Sequence, residues 1–529
     1  MTTLTRVSNF GLFGNVLRAT ILGPVLIIAL WEVAARALSD AFVLAAPSAI
    51  VIYLIEHAGL MARALGVTLA NAGAGFVIGN FAAIVLATLA TVWPKSDAVI
   101  RGLALVIFCL PLVATGPILR VVFGPGPWPQ IVLAALAVYY TTLIPLLVGL
   151  RALPSAWLDL VCSYGRGRFA ALLHVRAMAA LPYLVSGLQI SAPAAFLGAM
   201  VGEFTGAERG MGVLTIRALR GMNIEMTWAL ATVATSVCVI WYLAIGWLAQ
   251  RFMQEEPPVI LATPALPATQ GPYRTALLNG LMITGALLFV WWAGLELLGL
   301  NSFFAKGPWD VVTALFLAPD ATANRDTLIH ALGETAVFLV PGYLVGLAAG
   351  ALLAMLVVLV PAVAGTAMPL AIALRSIPII TTAPLVVLML GRGALGTVVL
   401  VAIMVFFPTF VACLQGLRQA PGQIIDVFDS YAAGPFEKLR KVRIPAMLPA
   451  FFAAARINVP ASVLAVTVVE WLATGNGIGN VMALSASLSD YDMLWSSVAL
   501  VSILSALGYA AVGLLERMVL RTYAPEQLQ

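Results

Sequence analysis

Apolar runs of 18 to 28 residues recur along this 529-residue chain, parted by short polar breaks. Coiled as helices, such runs match the hydrocarbon core of a bilayer, which takes about 20 residues to cross. Inside lipid the backbone must satisfy its own hydrogen bonds, so only helices and closed barrels span it. Barrel strands read as segments of about ten residues with alternating polarity, and these runs are longer and do not alternate. Charged residues make up only 10% of the chain and hydrophobic ones 62%, with a mean hydropathy of +1.03. A soluble protein carries about a quarter charged residues, so this chain cannot cover a water-facing surface. An all-α polytopic membrane protein is expected.

The second constraint is a duplication. WLDLVCSYGRGRFAALLHVRAMAALP, from Trp157 to Pro182, returns without a gap as IIDVFDSYAAGPFEKLRKVRIPAMLP, from Ile424 to Pro449, at an offset of 267 residues. At that offset Thr68 meets Thr335, Gly75 and Gly79 meet Gly342 and Gly346, and Pro111 and Pro117 meet Pro378 and Pro384. Glu203 meets Glu470, Gly210 and Gly212 meet Gly477 and Gly479, and Trp228 meets Trp495. Expected spans lie near 19–37, 65–92, 98–122, 130–150, 183–204 and 227–250, then near 277–298, 332–360, 366–390, 395–417, 449–472 and 494–515. The Pro- and Thr-rich stretch between them reads as a linker. The expected domains are a first half at 1–251, a linker at 252–275 and a second half at 276–529.

Six spans per half make the repeats parallel, related by an axis along the membrane normal. About 12 transmembrane helices in two six-helix repeats follow. Lys and Arg crowd into the repeated polar loops, about 151–182 and 418–449, whereas acids gather on the opposite face. The positive-inside bias places both loops, the linker and both termini in the cytoplasm. It also accounts for the net charge of +5, so no nucleic acid is called for. The apolar run after Arg6 and Arg18 has no convincing cleavage site and reads as an uncleaved first helix.

Each loop combines an acid, a small polar turn and an apolar–basic helix. The first carries Asp159, Tyr164, Gly165, Phe169, Leu172 and Arg176; the second carries Asp426, Tyr431, Phe436, Leu439, Arg443 and Pro445. An amphipathic helix of this kind lies on lipid or docks in a partner's groove, and two symmetric copies suit a dimeric partner. The acids read as first-turn residues complementing a helix dipole. The pattern resembles the coupling-loop signature of ABC importer permeases, with Ala432 standing for its Gly in the second copy and Met178 for its Pro in the first. Ala46–Pro47–Ser48–Ala49, Leu374–Arg375–Ser376–Ile377–Pro378 and Glu470 with Gly477–Ile478–Gly479 resemble the nitrate/sulfonate/taurine-type branch. Fused halves are also familiar in the ferric-iron and thiamine branches.

The resemblance implies a type I ABC importer-like fold in a bacterial inner membrane. It implies a dimeric ABC ATPase on the cytoplasmic side, each subunit gripping one coupling helix, and a periplasmic or lipid-anchored substrate-binding protein outside. The chain has no G-x-x-x-x-G-K-[ST] sequence, so a P-loop must come from a separate chain. No metal-ligand spacing and no cofactor motif is present.

Candidates for the translocation path are polar residues in the expected spans. Thr115, Thr381 and Thr382 lie beside helix-breaking prolines, and Ser191, Asn458 and Ser462 lie in the fifth spans. Each reads equally as interhelical glue. Arg375 is the charge nearest an apolar run, matched by Phe108 in the first half. Glu203 and Glu470 close the fifth spans, where capping of loop backbone is the leading reading. An ion-coupled secondary transporter is the rival class; it needs a midplane acid, and Glu32 and Glu296 are the obvious exceptions to a carboxylate-poor interior. A membrane enzyme finds no His, Cys or carboxylate constellation. By resemblance the substrate is a small organic or inorganic anion such as sulfonate, taurine or nitrate.

Overall fold

The computed structural model describes residues 28–37, 44–252, 273–360 and 389–523, apart from 154, 166 and 392, together with 25, 363 and 386. Among these residues the chain is helical and has no strand. The first half runs α1 (Pro47–Glu56), α2 (Ala58–Val92), α3 (Asp97–Phe108), α4 (Leu112–Phe123) and α5 (Trp128–Arg151). It continues with α6 (Ser155–Ser163), α7 (Ala177–Phe204), α8 (Met211–Arg220) and α9 (Ile224–Phe252). The second half runs α10 (Tyr273–Leu297), α11 (Ala321–Leu359), α12 (Ala394–Arg418), α13 (Gly422–Ser430), α14 (Ile444–Val469), α15 (Gly477–Leu488) and α16 (Tyr491–Tyr523).

Among the described residues nine helices are long and apolar enough to cross a membrane. The span expected at 98–122 is not one rod. It is a helix pair bent by 96° where α3 gives way to α4. Pro111 stands at the break in an extended conformation, and with no N–H it cannot continue the α3 ladder. Pro117, also expected to disrupt this span, sits inside α4 without ending it. The span expected near 19–37 is described at 25 and from 28 to 37, where it is helical, whereas the span near 366–390 falls largely outside the described residues, as do the linker, Pro378 and Pro384.

Lipid offers no hydrophobic drive between helices, so close backbone approach and dispersion hold the bundle. A Cβ added at Gly79 would stand 2.6 Å from the Ala135 carbonyl oxygen on α5, and one at Gly346 would stand 2.6 Å from the Ala402 carbonyl oxygen on α12. The duplication therefore reproduces the seam between α2 and α5 as that between α11 and α12. Trp31 packs on Trp228 at 5.2 Å, and Trp291 on Trp495 at 5.6 Å.

The halves share a core. Ala114 and Ile118 of α4 are buried in one cluster with Leu328 of α11, Ile478 and Met482 of α15, and Leu494 and Val498 of α16. Ile283 of α10 fits against Gly102 of α3, where a Cβ would meet it at 2.5 Å.

Candidate functional site: paired coupling segments

The two repeated polar segments fold alike. In the first, α6 ends at a turn through Gly165, followed by a short helix Arg168–Ala171 and a π-helical turn Leu172–Arg176 that feeds α7. In the second, α13 ends at a turn through Ala432, followed by Pro435–Lys438 and a π-helical turn Leu439–Arg443 that feeds α14. Gly165 has φ +69 and Ala432 φ +51. Alanine thus keeps the left-handed turn that glycine makes in the first copy, at a steric cost.

Each segment presents the same exposed apolar knob. Tyr164 and Tyr431 are 77% and 82% exposed, and Phe169 and Phe436 are 70% and 66% exposed. Trp157 and Leu160 lie exposed on α6, and Ile424 and Val427 take their places on α13. Large apolar side chains are thus held exposed at matched positions in both copies. Ion pairs from Lys438 to Asp429 and from Lys441 to Glu437 (2.6 Å) brace the second segment.

Two expectations at this site need correction. Leu172 and Leu439 were expected to meet a partner, but both are buried. Leu172 packs with Leu147, Leu150 and Ala180, and Leu439 with Leu414, Leu417 and Met447. They plug the segments onto the membrane bundle. Asp159 and Asp426 were expected in first turns. The helices begin at Ser155 and Gly422, so both acids stand a turn further in, exposed, and do not cap. Arg176 and Arg443 are partly buried, and Pro445 lies in the first turn of α14, a position that suits proline.

In the membrane bundle, the expected polar residues divide. Glu203 and Glu470 each close a buried clasp. Glu203 accepts the Thr68 hydroxyl at 2.7 Å and the Gly212 N–H at 2.7 Å, while the Met211 N–H donates to Thr68 at 2.9 Å. Glu470 accepts the Thr335 hydroxyl at 2.8 Å and the Gly479 N–H at 2.9 Å, while the Ile478 N–H donates to Thr335 at 3.0 Å. Each carboxylate satisfies donors at the start of a short helix, α8 or α15, that no backbone carbonyl reaches. This is the capping role expected for the two glutamates. Their partners, Thr68 and Thr335, were visible as a repeated pair but lie 135 residues upstream.

Thr115 donates to the Pro111 carbonyl at 2.9 Å, Ser191 to Leu188 at 3.2 Å and Ser462 to Val459 at 2.8 Å. Asn458 donates to the Val405 carbonyl at 3.2 Å and to Thr409 at 3.0 Å. All four are buried and serve their own helix or a neighbour. Arg375, Thr381 and Thr382 lie outside the described residues. Glu32 accepts from the Ser48 hydroxyl at 2.7 Å and pairs with Arg36 at 2.6 Å, so it ties the first helix to α1. Among the described residues no three His, Cys, Asp or Glu side chains converge on a metal position.

A duplicated bundle of spanning helices, with a matched pair of exposed hairpins on one face, defines a membrane transport permease. The chain belongs to the family described as binding-protein-dependent transport system inner membrane component, whose profile matches residues 75–254 and again 342–522. The two matches begin 267 residues apart, the offset of the repeat. A probable ABC transporter permease protein of Haemophilus influenzae is 31% identical over 242 residues, 45% of this chain and 99% of that one. The formylaminopyrimidine transport permease protein ThiX of Halalkalibacterium halodurans is 30% identical over 152 residues, 29% of this chain and 61% of that one. The riboflavin transport system permease protein RibX of Chloroflexus aurantiacus is 28% identical over 277 residues, 51% of this chain and 98% of that one. Among more distant relatives, proteins named for aliphatic sulfonates transport match over 148 residues at 24% in Bacillus subtilis and 26% in Escherichia coli. No solved structure matches the chain significantly.

Proposed function

We propose that this chain is both permease halves of one ATP-driven importer, and that its translocation path opens alternately to either face as the halves rock. The observation that carries this reading is the repeated knob of Tyr164 and Phe169, and of Tyr431 and Phe436. Two identical apolar contacts on one face suit two identical ATPase subunits. ATP-driven closure of that dimer would move both segments together, and the π-helical turns would pass the motion directly into α7 and α14. This reading assigns ATP hydrolysis to a separate partner chain.

In this reading the coupling segments, the linker and both termini lie in the cytoplasm of a bacterial inner membrane, an orientation that the Lys and Arg bias supports. Glu203 and Glu470 then lie at the outer face, where a soluble or lipid-anchored binding protein delivers substrate. For the substrate we favour a small anion of the sulfonate, taurine or nitrate class, on the motifs quoted above and the sulfonate names among the relatives. The names ThiX and RibX carry favour a heteroaromatic nutrient as the second reading.

Affinity purification of the tagged chain from its own host tests the assignment. An ATPase present at about two copies per chain is the expected result. A chain that purifies alone, with uptake indifferent to ATP depletion and abolished by collapsing an ion gradient, returns the protein to the secondary-transporter class.

A further inference from the structure

The duplication is faithful at the helix seams within each half and unfaithful in charge on the outer face. Residues 36–67, 120–128 and 204–226 of the first half hold six Lys or Arg and four Asp or Glu. The corresponding stretches of the second half, 296–334, 387–395 and 471–493, hold three Lys or Arg and seven Asp or Glu. The reversal extends to symmetry-related positions. Arg63 and Val67 on α2 are replaced by His330 and Glu334 on α11, and Arg209 is replaced by Asn476.

Glu334 also borders a concave site. A cavity of about 340 Å³ opens between the outer end of α11 and the start of α15, lined by His330, Glu334, Asn476 and Asn480 among others. One Glu334 oxygen accepts the Gly477 N–H at 2.8 Å. The other lies 3.6 Å from His330 Nδ1, beyond hydrogen-bond distance. The carboxylate is thus fixed in direction by backbone while retaining acceptor capacity at the cavity. The amides of Asn476 and Asn480 add neutral acceptors around it. In the first half Val67 and Val213 stand where Glu334 and Asn480 do.

We propose that the outer face is electrically polarised, so that the substrate-binding protein docks in one orientation, with a Lys or Arg of one lobe seated at Glu334 and an acidic lobe over the Arg-rich first half. The inference rests on the importer reading and adds to it the sign of each contact. Opposed charge on the two halves steers encounter and penalises the reversed pose by like-charge contact. A fused chain can fix such a polarity, whereas a homodimer of half-length chains presents the same sign twice.

The test places a photo-crosslinking amino acid at Arg209 or at Asn480 of the full chain in its native host, irradiates whole cells and sequences the crosslinked peptides. The expected result is one binding protein at both positions, with peptides from opposite lobes: net acidic at Arg209 and net basic at Asn480. Glu334→Gln, which keeps the acceptor for Gly477, should lower the Asn480 yield at least fivefold, with chain abundance unchanged. Both lobes recovered at each position, or a Glu334→Gln yield equal to the parent's, overturns the oriented docking while leaving the importer reading in place. Recovery of no binding protein at either position overturns both.

Discussion

Glu203 and Glu470 show how a carboxylate is kept inside a bundle: each faces a threonine hydroxyl and a helix-start N–H, and each is 1% exposed. Replacing Glu470 by Ala strands the Gly479 N–H, while the Thr335 hydroxyl keeps the Ala331 carbonyl at 3.0 Å as its acceptor. Each orphaned buried donor costs about 1–3 kcal/mol, so Glu470→Ala should lower the detergent melting temperature sharply, and Thr335→Val by less. Gly477 makes the clasp possible. Its φ is +81, and a Cβ there would sit 2.2 Å from a Glu470 oxygen, so Gly477→Ala should match the loss seen for Glu470→Ala. A melting temperature unmoved by either substitution would remove the clasp from the stability account. At the coupling turn the sign reverses. Ala432→Gly relieves a left-handed alanine and should stabilise by up to about 1 kcal/mol, while Gly165→Ala should cost a similar amount. The glutamates, threonines and glycines of the clasp were all legible as repeated positions. Their pairing was not, because sequence spacing carries no information about which residues meet across two spans.

For the coupling segment, sequence and structure agree on the element and part on its faces. Leu172, Leu173 and Val175 crowd one short stretch, so periodicity alone admits more than one inward direction. The bundle decides: Leu172 fills the gap beside Leu147 and Leu150, and Leu173 is left 57% exposed. The outward residues follow from that choice. Phe169→Asp and Phe436→Asp alter only exposed side chains, so melting temperature should hold within a degree or two. Transport and binding-protein-stimulated ATP hydrolysis should each fall at least tenfold in the double variant. An ATPase that still co-purifies with the double variant at full yield would show that the knobs are not the grip. The break at Pro111 was legible as a proline, but its 96° angle was not. The angle depends on where α4 finds its packing, which is against α5 and α7 of its own half as well as α14, α15 and α16 of the other.

Across the whole molecule, α4 buries Ala114 and Ile118 among second-half side chains, and α10 packs on α3. The halves are therefore held by a core as well as by a covalent join. Co-expressed fragments 1–262 and 263–529 should assemble, and a tag on either should recover the other from membranes. Recovery of one fragment alone would mean that the join itself supplies the association. The repeat made the pseudo-symmetric plan readable before any coordinates. The exchange of contacts between halves was hidden, because a repeat offset pairs equivalent positions and carries no information about which positions meet across the halves.

The length of α11 has a last consequence. Its 39 residues extend about 58 Å at 1.5 Å per residue, against a hydrocarbon core of about 30 Å. Even with a strong tilt, several turns project beyond the lipid, and α2, with 35 residues, does nearly the same. The two rods rise from the bilayer as a pair of masts, and a water-soluble visitor would meet their tips before it met any headgroup.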